Sequence, residues 1–166
     1  MPDLGAIYLA DMLERYQKTR QTCERAIAQV DDTAFFATPS AEVNSIAVTM
    51  KHLGGNLVSR FTDFLTADGE KPTRNRDAEF EIGGSESRAD IEALWRQGWD
   101  TLVAELEALQ PDDLVATIHI RGEPLLVVQA LDRSLAHASY HAGQIVQLAK
   151  YYAGPAWKTL SIPRRA

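Results

Sequence analysis

An all-α, antiparallel four-helix bundle, with a short β-hairpin ahead of its last helix, is the fold that this sequence predicts. Three observations lead to it. Four long stretches repeat apolar residues every three or four positions, one short run of β-branched residues separates the third stretch from the fourth, and no internal repeat is present. The 166 residues read as a single domain, 1–166, large enough to bury a continuous core without disulfides or metal.

The first helix runs from Leu4 to Val30, with Met12, Leu13, Tyr16, Cys23, Ile27 and Val30 in helical register. The segment DDTAFFATPS reads as a turn. After it, Asn44 or Ser45 is placed to cap a second helix to about Leu65, with Ile46, Met50, Leu53, Leu57, Phe61 and Phe64 on one face. Gly54 and Gly55 in its middle weaken it locally and leave room for another backbone to come close.

Residues 67–84, ADGEKPTRNRDAEFEIGG, lack apolar periodicity and carry glycine, proline and both charge signs. They read as a loop more mobile than the helices. A connection of that length is either functional, here as a lid whose Arg74 and Arg76 meet an anionic substrate, or a solvated or dimer-edge segment. It leaves the far end of the second helix, roughly 22 Å along the axis from His52 at 1.5 Å per residue, so contact at that histidine requires the loop to fold back. Ser87 with Asp90 forms a capping-box pattern that opens the third helix, which runs through Ile91, Trp95, Trp99 and Leu106 to Leu109 and is closed by Pro111. In VATIHIRGEPL, β-branched residues flank Arg121-Gly122, the pattern of a two-stranded hairpin. The last helix, from about Leu126 to Tyr152, is apolar on nearly all sides and ends near Gly154-Pro155, which makes it the central and most buried one.

Composition narrows the function classes. The net charge is −6 with a pI near 5.2 and the basic residues are scattered, so no basic stripe exists to neutralise phosphates, and nucleic acid is excluded as a partner. Charges interrupt every apolar stretch well short of the ~18 residues a membrane span needs, and no basic region precedes an apolar run at the start. The expected location is the cytoplasm. The lone Cys23 falls in the apolar pattern of the first helix, which excludes an internal disulfide and suits a packing role in a reducing compartment. GxSxG, Walker, GxGxxG and CxxC patterns are all absent.

Aspartate, glutamate and lysine vanish from the last helix between residues 133 and 149, yet His137 and His141 stay at a spacing of four. That spacing stacks two imidazoles on one face, about 5–6 Å apart at Cβ, where two nitrogens can reach one metal ion; two isolated histidines are the plainer alternative. A third ligand must come from His52 or His119. His52 shares a stripe with Ser45, Thr49, Asn56 and Ser59; a solvated face is the plainer alternative, but these small uncharged residues suit a polar pocket inside a bundle better than open surface. His119 alternates with Ile118 and Ile120 and reads as exposed or packed within the hairpin. Three neutral imidazoles favour Zn²⁺ or Ni²⁺ and leave coordination positions open, which is catalytic in kind. Asn56, one turn after His52, and Gln144, three residues after His141, either line the pocket or pack beside it. Arg60 either holds an anionic substrate group or pairs at the surface with Asp63 or glutamates.

The segments MKHLGGNLVSRFTDFLTADGEKPTRNRD, TIHIRGEPL and LAHASYHAGQIVQLAKYY resemble an uncharacterised subgroup of the DinB-like superfamily, over essentially the whole chain. That superfamily also includes YfiT-like metal-dependent hydrolases, bacillithiol transferases and mycothiol-dependent maleylpyruvate isomerases. The resemblance implies an up-down-down-up bundle, a homodimer, and a three-histidine metal site that maps onto His52, His137 and His141 and leaves out His119. Some relatives use the metal to activate a low-molecular-weight thiol, but the resembled subgroup has no assigned reaction, so the resemblance carries over only the metal. The chemistry of the open site is what points to a metal-dependent hydrolase or a thiol-dependent S-transferase acting on a small molecule. A non-catalytic metal-binding or dimerisation module is the alternative from another class.

Overall fold

The computed structural model describes residues 3–162. Its elements are α1 (Leu4–Ile27), α2 (Asp32–Phe36), α3 (Ile46–Phe61), α4 (Arg88–Ala108), β1 (Thr117–Ile120), β2 (Glu123–Leu126) and α5 (Val127–Ala153), with 3₁₀ turns at Asp77–Phe80, Pro111–Val115 and Gly154–Ala156. Four long helices and one hairpin before the last are therefore what the chain forms. Helix α3 packs along α4, α1 along α5, and α3 against α5, enclosing one core. Tyr16 sits at its centre, edge-on to Phe61 and Trp99 with ring centroids 6.4 and 6.3 Å away, and its hydroxyl donates to the Leu131 carbonyl at 2.9 Å. Among the described residues no helix is long and apolar enough to cross a membrane.

The helix starts are local chemistry. Asp3 and Ser45 accept hydrogen bonds from the first free N–H groups of α1 and α3, and the Ser87–Asp90 capping box opens α4. The hairpin turns at Arg121 and Gly122, both with positive φ (57° and 75°), the handedness that a two-residue turn between twisted strands requires. Ile118 and Ile120 face the core and His119 is exposed.

Three boundaries differ from the sequence expectation. Helix α1 stops at Ile27, not Val30, because Arg88 reaches the carbonyls of Ile27 and Val30, each at 2.9 Å, and takes over the end of the helix. The segment that reads as a turn contains α2: the Asp31 side chain caps it at the Ala34 N–H (2.9 Å), and Phe35 enters the core beneath the Arg88 guanidinium. Helix α3 ends at Phe61, not Leu65, since Thr62 is extended and Asp63 takes a positive φ of 50°. Phe64 remains buried at 2% exposure, so the apolar spacing continues through a turn that periodicity cannot detect.

Gly54 and Gly98 set the α3–α4 crossing. A Cβ on Gly98 would lie 2.6 Å from the Gly54 carbonyl oxygen, and one on Gly54 would lie 3.0 Å from that of Leu94. The room expected at Gly54 is thus filled by a neighbouring helix backbone.

Candidate metal centre

His52 stands midway along α3, 5% exposed, and the polar stripe around it (Ser45, Thr49, Asn56, Ser59) is buried with it. The stripe therefore belongs inside the bundle and not to a solvated face. His137 and His141 come from the facing side of α5, and the three side chains lie close enough to hold one metal ion. The Nε2 atoms of His52 and His137 are 3.3 Å apart, and those of His137 and His141 are 3.0 Å apart. Tetrahedral coordination with Zn–N bonds of ~2.0–2.1 Å places neighbouring nitrogens about 3.3 Å apart, so the donors stand close to ligating separation. Among the described residues no fourth histidine, cysteine or carboxylate joins this cluster.

The far sides of two rings set their tautomers. Nδ1 of His52 lies 2.9 Å from Glu79 Oε2, and Nδ1 of His141 lies 2.8 Å from Gln144 Oε1. Each acceptor draws the ring proton to Nδ1 and leaves a bare lone pair on Nε2 pointing at its neighbours. Two lone pairs converging beside a third imidazole repel one another unless a cation sits between them, and the donor set therefore fits a divalent metal. Burial, reinforced by the neighbouring His141 and His52 and by Arg60 and Arg74, pushes His137 down to about 4; burial and His52 likewise lower His141, against the opposing Gln144 bond. Both are neutral at pH 7, the form that coordinates.

Glu79, which the sequence reading did not single out, comes from the loop of residues 67–84. The loop retraces α3. Ser59 Oγ donates to the Gly69 carbonyl (2.9 Å) and accepts from Lys71 N–H (3.1 Å), Arg60 bonds Gly69 and Glu70, and Lys51 reaches the Glu81 carbonyl at 2.8 Å. Retracing cancels the axial separation and brings the 3₁₀ turn Asp77–Phe80 against His52, with Phe80 tilted on the imidazole at 4.6 Å. A Cβ on Gly55 would lie 2.6 Å from Glu79 Oε1, so this glycine admits the carboxylate. Burial alone would raise the Glu79 carboxyl, but hydrogen bonds from His52 and Arg74 hold it below its ordinary value, as an anion. Arg74, 5% exposed, binds both Glu79 oxygens at 2.7 Å and also Glu70, and hence orients the carboxylate.

A cavity of about 210 Å³ opens beside His52 and His137. Asn56 and Arg60 are on its wall; Arg60 is also paired with Glu70, as its surface-pair alternative anticipated, though at only 11% exposure. Gln144 is not on that wall and instead orients His141. His119 lies outside the cluster, its carbonyl accepting from Gly69 N–H at 2.8 Å.

Because Glu79 fixes the His52 ring and balances Arg74, Glu79→Gln is expected to weaken metal binding by about 10–100-fold while the helices persist. A competition titration against a chelating dye measures this, and an unchanged affinity would remove Glu79 from the site.

The profile of a family described as a protein of unknown function, DUF1572, matches residues 3–166. No curated protein and no solved structure matches the chain.

Proposed function

The chain belongs to the DUF1572 family, whose description assigns no activity, and from the site itself we propose that the protein is a metal-dependent enzyme acting on a small molecule. One observation carries the reading: three imidazole nitrogens converge from one side, and the other side opens onto a cavity. A structural site would be closed by a fourth protein ligand. The pattern of one histidine in the second long helix and HxxxH in the last, which resembles the DinB-like superfamily, supports the same metal site and extends the reading to a homodimer; the lone Cys23 suits the reducing cytoplasm.

Nitrogen donors favour zinc or nickel. A divalent ion held there supplies Lewis acidity, which makes a nucleophile of water or a thiol at neutral pH. The protein's own residues hold the ligand rings in one tautomer and shape the cavity. Among the described residues no carboxylate lines that cavity, so no general base stands ready to take a proton from water. With the pKa of water lowered to about 7 by a bound divalent ion and a thiol ionised outright, neither nucleophile requires that base. Hydrolysis and transfer through a low-molecular-weight thiol both fit this site.

Protein prepared without added metal is expected to carry a divalent ion. Chelation should leave the helices intact by circular dichroism, because the core is built from four apolar helix faces, and metal at 100 times its Kd should restore about 2.7 kcal/mol of stability. Low-molecular-weight thiols added to the nickel-loaded protein should then produce a thiolate-to-metal charge-transfer band. Stoichiometric metal with no thiol response and no turnover of electrophiles or esters would sink the enzymatic reading and leave a non-catalytic metal-binding or dimerisation module.

A further inference from the structure

Five guanidinium groups, those of Arg60, Arg74, Arg76, Arg121 and Arg133, line the cavity and no carboxylate does, in a chain whose net charge is −6. They divide into two sets. Arg60, Arg74 and Arg121 share Glu70, at 2.9, 3.2 and 3.0 Å, and Arg74 also holds Glu79. These three are spent on structure. Arg133 forms no hydrogen bond or ion pair among the described residues, and Arg76 has only the exposed Asp77 at 3.7 Å while its guanidinium lies 4.9 Å above the Phe80 ring. Even with Asp68 counted, which binds the N–H groups of Arg121 and Gly122, the cations around the cavity outnumber the anions.

The two uncommitted cations are placed to act together with the histidines. Arg133 precedes His137 by one turn of α5, and Arg76 is held beside Phe80, the ring that packs on His52. The same wall carries the apolar side chains of Phe61, Phe64, Ile120 and Ala130, together with the polar Asn56 and Ser134. From this we infer that the cavity takes a small molecule bearing an oxyanion, a carboxylate or a phosphate, on an apolar body, with Arg133 and Arg76 as its anion contacts. The inference rests on the metal-centre reading for the fate of the molecule but not for its binding. Guanidinium forks bind oxyanions through paired, charge-assisted hydrogen bonds, and a basic cleft in an acidic protein concentrates anions at its mouth. The cavity's 210 Å³ is below the roughly 300–1,000 Å³ of pockets for drug-sized ligands, which sets the occupant's size.

Titration calorimetry with benzoate, phenyl phosphate and the neutral benzamide tests this on zinc-loaded and on metal-free protein. At least one anion should bind about tenfold or more tightly than benzamide in both forms, and whichever is preferred identifies the head group. Arg133→Gln and Arg76→Gln should each weaken that anion by about tenfold, the loss of one charge-assisted hydrogen bond, while Arg25→Gln, an exposed arginine on α1, should not. Equal affinity for benzamide, no binding of either anion at millimolar concentration, or wild-type affinity in both cavity variants would overturn the inference. Anion binding that vanishes on chelation and ignores the arginine variants would mean the anion is only a metal ligand; that also overturns it and leaves the metal centre standing. Arginine-dependent anion binding in a protein that fails to hold metal would support the inference and defeat the proposed function instead.

Discussion

Replacing any one of His52, His137 or His141 with alanine is expected to lower metal affinity by more than the ~10–100-fold that loss of a supporting partner costs, and to leave less than stoichiometric metal after dialysis. The cluster holds three donors, and among the described residues no other histidine, cysteine or carboxylate can take a vacated position. Glu79 cannot substitute, since it meets His52 on Nδ1, the side of the ring away from the other two imidazoles, and is clamped by Arg74. His119→Ala is the control, being exposed on the hairpin, and should bind as wild type. Metal content by elemental analysis, alongside circular dichroism to show the fold intact, decides the matter. Full metal in the His52→Ala protein would overturn the three-ligand assignment.

Two glycine-to-alanine substitutions should move stability in opposite directions. At Gly98 the new methyl would meet the Gly54 carbonyl oxygen at 2.6 Å and the Gly54 Cα at 3.0 Å, backbone atoms with no rotamer to yield, so α3 and α4 must separate. Overpacking of this kind costs about 1–3 kcal/mol, and in a domain of this size each kcal/mol lowers Tm by about 2–4 °C. At Gly143, exposed within α5, a Cβ meets nothing within 4 Å, and alanine there should stabilise by about 0.5–1 kcal/mol through its better helix propensity. Thermal unfolding of the pair measures both. A Gly98→Ala protein as stable as wild type would mean that the crossing is looser than these distances require.

The contrast between what the sequence revealed and what it hid follows from the range of each interaction. The HxxxH pair is legible because a helix converts a spacing of four into proximity with no knowledge of the fold. His52 is legible because small, uncharged Ser45, Thr49, Asn56 and Ser59 share its stripe, and all of them are buried. Glu79 was not, because its contact with His52 spans 27 positions through a segment with no periodicity. The one local signal for it is Gly55, a helix-interior glycine beside a candidate ligand, which admits the carboxylate. Helix α2 escaped notice since five residues are too few to show a helical period. Phe64 misled in the opposite sense, keeping helical spacing after the helix had ended.

The retraced loop reverses the usual advice on where a chain of this kind tolerates handling. Long polar connections are ordinarily the first choice for a protease site or an inserted tag, because little depends on them. Here Gly69 and Lys71 are tied to Ser59, Gly69 and Glu70 to Arg60, and Arg74, Glu79 and Glu81 to Glu70, His52 and Lys51, with exposed Pro72 and Thr73 in the turn between the two sets. A cut at those two residues would sever the covalent link between Glu70 and the Arg74–Glu79 pair that it helps to hold, so an accessible stretch of this surface is also one through which the histidines are disturbed.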